Sequence, residues 1–280
     1  MMMLAPYLVH AFNTAKESEN KIHDDTVAAR FGFTGGLVPG VDVYAYMTHQ
    51  AVAKWGRDWL EHGTAECRFG KPVYDGEIAE VEASVIEGGI GISVTSKGES
   101  CAIGMAGLPA AEAVPDLREW PVVAMPEERA SASETSLPMG GWLNARGVLC
   151  TPAFVRQYLH DVRETAPVYA EEGLVHPGTV LRLCNYVLSG NAVLGPWIHV
   201  GSKLRNFAAA RVGDELTARA RVVSNHMHKG HKFVVLDALV VANNTTPIAR
   251  VEHTAIYLPR QVAAAKATLN NFRFGLMTLG

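Results

Sequence analysis

Charge of one sign is never concentrated in this chain. Lys and Arg number 25 against 28 Asp and Glu, a net charge of −3, and no basic tract stands out. The electrostatic footprint of a nucleic-acid binder is therefore missing. Cysteine is scarce: Cys67, Cys101, Cys150 and Cys184 are scattered and never spaced Cys-x-x-Cys. That pattern predicts reduced, buried thiols in a cytoplasmic protein rather than a disulfide framework. No run approaches the roughly 18 uncharged apolar residues of a membrane span. The apolar N-terminus lacks a basic region and is interrupted by Pro6, so it does not read as a secretory leader.

Several catalytic signatures are also absent. There is no His-Glu-x-x-His and no Gly-x-Ser-x-Gly, which leaves zinc-hydrolase and α/β-hydrolase chemistry unsupported. Gly88-Gly89-x-Gly91 has no helix pattern behind it, so it is not a dinucleotide loop. His226, His228 and His231 sit beside Lys229-Gly230 at an expected hairpin tip without a further ligand nearby, and no metal site is expected there.

What is present is the composition of a protein with sizeable cores, 48% hydrophobic and 19% charged. It is arranged as a repeat. A shift of 138 residues lays Pro39-Gly40 on Pro177-Gly178, Trp59 on Trp197, Gly63 on Gly201, Phe69 on Phe207, Glu77 on Glu215 and Val85 on Val223. Those seven identities over residues 39–85 compare with roughly three for unrelated sequence of ordinary composition. The order of elements repeats as well. Each Pro-Gly opens a stretch that is apolar almost all round, as a buried helix would be. Runs rich in Val, Ile and Ala follow, bounded by glycine: Ile78 to Ile86 and Ile90 to Ser96 in the first half, then Leu216 to Val223, Phe233 to Val241 and Ile248 to Leu258 in the second. A buried helix followed by antiparallel strands, twice, is an α+β pattern. The prolines between 109 and 138 mark a linker. The expected organisation is a first domain over 1–108, a linker over 109–145, a second domain over 146–262 and a tail over 263–280. Thr151-Pro152 predicts a short capped helix over 151–163.

Residues 18–40 read Ser-Glu-Asn-Lys-Ile-His-Asp-Asp-Thr-Val-Ala-Ala-Arg-Phe-Gly-Phe-Thr-Gly-Gly-Leu-Val-Pro-Gly. Asn20, Ile22, His23, Asp25, Ala29, Gly32-Phe33, Gly35 and Gly40 fall where the hydratase motif of the MaoC-like (R)-specific enoyl-CoA hydratases has matching residues. The stretch resembles that family. The resemblance implies a tandem double hot-dog fold, each half a long helix wrapped by an antiparallel sheet. It implies a hydro-lyase that reversibly hydrates a 2-enoyl thioester carried by CoA or an acyl-carrier protein, with no cofactor and no metal. In that scheme His23 acts on the water, Asn20 orients it, and the N–H of Gly40 polarises the thioester oxygen, with Gly35 in a turn bordering the pocket. One chain then supplies the paired hot-dog units, and a homodimer of such chains is the expected assembly.

The motif is also departed from. Ser18 stands at the position of the catalytic aspartate, Lys21 follows Asn20, and Pro39 replaces the histidine before Gly40. Glu17, Glu19 and Asp42 are the candidates for the missing carboxylate. In the second half Glu164 echoes the acid position and Tyr169 the histidine position, while His176 precedes Pro177-Gly178. Glu164 and His176 are therefore candidate pocket residues. Asp25 is expected to cap a helix. Arg182 and Asn185, on the second apolar helix, need partners if buried, whether structural or in the pocket. Two other readings stand beside hydration: a hot-dog thioesterase using Asp42, and an acyl-binding module without catalysis.

Overall fold

The structure is a computed structural model and describes residues 2–260. The expected tail over 263–280 lies outside the described residues.

The first half contains β1 (Tyr7–His10), α1 (Asp25–Arg30), α2 (Gly40–Trp55), α3 (Arg57–His62), β2 (Thr64–Phe69), β3 (Ile78–Ile86), β4 (Gly89–Ser96) and β5 (Glu99–Gly107). Between the halves lie β6 (Ala130–Ser131), β7 (Trp142–Asn144) and β8 (Val148–Leu149). The second half contains α4 (Pro152–Asp161), α5 (Val168–Glu172), α6 (Gly178–Asn191), β9 (Ala192–Val193), β10 (Ile198–Asn206), β11 (Glu215–His228), β12 (His231–Ala242) and β13 (Thr246–Leu258).

Eleven of these strands form one antiparallel sheet in the order β1-β3-β4-β5-β2-β10-β13-β12-β11-β7, with β8 pairing beside β7 on β11. The halves meet where β2 pairs with β10, Ser202 opposite Cys67 and Leu204 opposite Ala65. Outward from that seam the order is β2, β5, β4, β3, β1 on one side and β10, β13, β12, β11, β7 on the other. The sequence repeat is thus a repeat of topology. The sheet is continuous because each half leaves its first long strand after the helix unpaired on one edge, and an unpaired edge is satisfied by an equivalent edge.

The two apolar helices lie against this sheet. Of α2, all residues from Val41 to Thr48 and then Gln50 to Val52 are buried. Leu181, Leu183, Cys184, Val187 and Leu188 of α6 are wholly inaccessible. At about 25 cal/mol per Å² of apolar surface, a buried Leu or Val contributes ~1.5–3 kcal/mol, so these two helices are the main anchors of the core. Each begins immediately after a proline, which has no N–H to leave unpaired. The expected hairpins form: Lys229 and Gly230 both have positive φ at the β11–β12 turn.

One expectation holds with a shorter end, and two change. The helix after Thr151 runs 152–161, and Thr151 Oγ1 caps it by accepting from Phe154 N–H at 3.1 Å. The cap of α1 is Asp24, whose Oδ1 accepts from Val27 N–H at 2.9 Å; Asp25 instead accepts from Gly36 N–H at 2.7 Å and clips the loop back on itself. The stretch 109–145 is no loose linker. Trp120 within it is buried against Leu239, Val241 and Trp142, and β7 pairs with Arg219 to Arg221 of β11. Proline excludes regular structure where it stands, but Trp120 among the prolines and Trp142 just after them carry enough apolar surface to dock.

Candidate active site

The loop 13–24 places the motif residues. Asn20 caps a short 3-10 turn over Lys21–His23, its side chain accepting from Ile22 N–H. Asn13 Nδ2–H holds the carbonyl of His23 at 2.8 Å. The His23 ring is fixed by its Nδ1, 2.6 Å from the carbonyl oxygen of Leu37. A carbonyl can only accept, so Nδ1 carries the proton and Nε2 presents a lone pair. Burial lowers the His23 pKa against the opposing pull of the Leu37 hydrogen bond and the Asp42 charge. The ring is therefore a neutral base near neutral pH.

Asn20 is pinned across the seam. Its Oδ1 accepts from Trp197 N–H at 3.2 Å, while its Nδ2 donates one N–H to Trp197 O at 3.0 Å and the other to His23 Nε2 at 3.3 Å. The second half thus holds the first half's motif in place.

Two concavities meet at this point. One, of about 110 Å³, is walled by Ile22, Phe33, Leu37, Val38, Val43, Phe69 and Val73 and is mainly apolar. The other, of about 270 Å³, carries Thr14, Ser18, Glu19, Arg182, Tyr186 and Ser189. Asn20, His23, Pro39, Asn185 and Trp197 border both. Gly40 opens α2 at the same junction. Asp42 N–H and Val43 N–H bond to Pro39 O, whereas the N–H groups of Gly40 and Val41 have no hydrogen-bond acceptor among the described residues. First-turn donors at a helix start are unpaired by construction and sit at the positive end of the dipole. Any side chain at position 40 would press on Phe69 and His199, since a Cβ there would lie 3.3 and 3.2 Å from them. Glycine keeps the helix start open to a ligand.

The remaining candidates fall elsewhere. Glu19 lines the polar concavity but is exposed and ion-paired to Arg129 at 2.9 Å; Glu17 is exposed and borders neither concavity. Ser18 donates to Asn20 O at 3.3 Å. Asp42 is wholly buried, bound by Arg182 at 2.8 Å and by the Thr14 hydroxyl at 2.6 Å, and borders neither concavity. Gly35 lies in a separate surface groove beside Asp25 and Tyr74.

Glu164 and His176 meet each other in the second half, away from the junction. Glu164 accepts from His49 Nδ1–H at 2.8 Å and from the N–H groups of Thr165 and Ala166, and lies 3.5 Å from His176 Nε2. His176 Nδ1 accepts from Gly178 N–H at 3.0 Å, so the helix start equivalent to Gly40 is capped from within. The Tyr158 hydroxyl fills the space beside Gly178. Tyr169 is buried against His176.

The residues absent from the motif reading come from the second half: Trp197, Ile198 and His199. His199 borders the apolar pocket with its Nδ1 buried and unpartnered among the described residues. Burial pushes its pKa down to about 3, so it is neutral. Trp197 carried a signal, as one of the repeat identities. His199 carried none, because a histidine within a strand is ordinary.

One antiparallel sheet made from two equivalent halves, each holding a buried helix that starts at Pro-Gly, is the double hot-dog fold. Solved structures agree. A structure described as a MaoC-domain protein dehydratase from Chloroflexus aurantiacus J-10-fl matches with a TM-score of 0.62 and 13% identity, over 92% of this chain and 95% of that one. A conserved hypothetical protein from Mycobacterium tuberculosis, described as having a double hot-dog fold, matches with a TM-score of 0.61 and 14% identity, over 90% and 95%. A MaoC-like dehydratase matches with a TM-score of 0.56 and 12% identity, over 91% and 98%. No protein-family model matches the chain, and no curated protein matches it by sequence. At these identities the likeness establishes the fold, and function has to be argued from the site. Among the described residues no helix is long and apolar enough to cross a membrane.

Proposed function

We propose that the chain reversibly hydrates a 2-enoyl thioester to the 3-hydroxyacyl thioester. The observation that carries this reading is the junction itself. The His23 Nε2 lone pair, which accepts from Asn20 Nδ2–H, and two free helix-start N–H groups flank the point where a small apolar pocket meets a larger one of mixed lining. The smaller, apolar pocket takes the acyl chain and the larger one, of mixed lining, takes the carrier arm.

The steps follow from these positions. His23 Nε2 takes a proton from water as the oxygen bonds to C3. The double-bond electrons move toward the thioester oxygen, where the N–H groups of Gly40 and Val41 stabilise the developing charge. The proton on His23 then passes to C2. The reverse sequence eliminates water. No separate carboxylate is needed, since one neutral histidine serves as base and then as acid, and Ser18 at the motif's acid position is tolerated. Hydrolysis through Asp42 has less support, because that carboxylate is committed to Arg182 and Thr14.

The test is loss of the conjugated enoyl-thioester absorbance with crotonyl-CoA and with a longer 2-enoyl-CoA. His23→Ala is expected to lower the rate by about 10²–10⁴. Turnover in His23→Ala at the wild-type rate would overturn the proposal.

A further inference from the structure

A hydrogen-bonded chain runs through the core behind the pocket. Asn185 Oδ1 lies 3.0 Å from His253 Nε2; His253 Nδ1 lies 3.0 Å from Ser202 Oγ; Ser202 Oγ lies 2.9 Å from His199 Nε2. His199, Ser202 and His253 are buried, and the two imidazoles stack with centroids 4.2 Å apart. Both ends, Asn185 and His199, border the apolar pocket.

With Asn185 Oδ1 facing His253, the chain takes one sense. Burial keeps both imidazoles neutral, so each offers one donor and one acceptor. Asn185 Oδ1 accepts, so His253 Nε2 carries the proton and its Nδ1 accepts from the Ser202 hydroxyl. Ser202 Oγ in turn accepts from His199 Nε2–H. His199 Nδ1 is left as a bare lone pair. The start of α2 agrees with this sense, because its positive dipole end favours a lone pair over an N–H beside Gly40. A buried acceptor with no partner costs about 1–3 kcal/mol. Here that acceptor belongs to a residue bordering the pocket and lies 3.2 Å from where a Cβ of Gly40 would be.

We propose that His199 Nδ1 accepts a hydrogen bond from the hydroxyl that is added or removed: the attacking water in one direction, the 3-hydroxyl of the acyl thioester in the other. The identity of that hydroxyl rests on the hydration reading. His199 is then a substrate-contacting residue donated by the second half, and it supplies the second hold on the water that Ser18 does not. Ser202, His253 and Asn185 are positioning residues that fix its tautomer.

The experiment compares the affinities of 3-hydroxybutyryl-CoA and butyryl-CoA by calorimetry in the wild type, His199→Leu, His199→Gln and Ser202→Ala. The wild type is expected to prefer the hydroxylated thioester by roughly 3–10-fold, the worth of one neutral hydrogen bond. His199→Leu is expected to lose that preference while still binding butyryl-CoA, and His199→Gln, which returns an acceptor oxygen, to regain part of it. Ser202→Ala disturbs the fold least. Nitrogen-15 spectra of the histidine rings are expected to show His199 as a single Nε2–H tautomer in the wild type and as a mixture in Ser202→Ala. Equal or undetectable binding of both thioesters by the wild type, or an unchanged preference in His199→Leu and Ser202→Ala, would overturn the assignment. Crotonyl-CoA hydration by the same preparations separates the two proposals. A hydroxyl preference without His23-dependent turnover overturns hydration and keeps His199 as a hydroxyl-binding residue. Turnover without the preference overturns the His199 assignment alone.

Discussion

His23 illustrates how much one hydrogen bond decides at the residue scale. The Leu37 carbonyl takes Nδ1–H, and that contact alone leaves Nε2 as the unprotonated ring nitrogen. Because burial lowers the His23 pKa, the neutral form persists to lower pH than in a free histidine, whose pKa is about 6.5. Hydration should therefore be constant through neutral pH and fall on the acid side with a midpoint below about 6.5. A pH–rate profile with the midpoint above that value would contradict the assignment of His23 as the base. The spacing Asn20-x-x-His23 was readable in the sequence because both residues act from one local turn. The fixing of Asn20 by Trp197, 177 residues away, was not, since nothing local reports a contact across the seam. The same limit hid His199.

At the scale of elements, α2 and α6 show equivalent helices put to different ends. Gly40 starts α2 with open N–H groups, whereas the corresponding donor of Gly178 is taken by His176 and the space beside it by Tyr158. The two helices are also tied together by the ion pair of Asp42 and Arg182, with the guanidinium lying 4.2 Å from the Tyr158 ring centroid. Replacing one member of a buried pair leaves the other charge uncompensated. Asp42→Ala is expected to destabilise the fold by about 3–5 kcal/mol, read from chemical denaturation. A loss below about 1 kcal/mol would show that the pair is solvated rather than structural.

Strand legibility follows the same physics. β3 alternates buried and exposed residues along most of its length and was readable from that pattern. β10 was not, because its buried positions include His199, Ser202 and Asn206, polar residues held by partners inside the core. β5 was obscured in the opposite way, since Ile103 and Met105 point outward.

For the whole molecule, the repeat in sequence becomes a continuous sheet with one open site and one closed counterpart. The closed side is a tether. Glu164, in the segment between α4 and α5, reaches His49 on α2 of the other half. Burial alone would raise its pKa, but hydrogen bonds from His176 and His49 hold it well below the usual carboxylate range. A carboxylate depressed in the folded state adds stability above its unfolded pKa of about 4.3, and that stability is lost as pH falls toward the folded value. Glu164→Gln should therefore lower stability at neutral pH and flatten its decline below about pH 5, measured by thermal unfolding across that range. An acid limb identical to that of the wild type would contradict the role of Glu164 as the tether.

The central claim is that one histidine at the seam of two hot-dog units adds water to an enoyl thioester. Its most direct measurement is the enoyl absorbance of crotonyl-CoA followed with wild type and His23→Ala side by side. The expected result is a decay in the wild type that is slowed at least about 100-fold in the variant. A wild type that leaves the band unchanged with short and longer enoyl thioesters, or a variant that matches it, would contradict the claim.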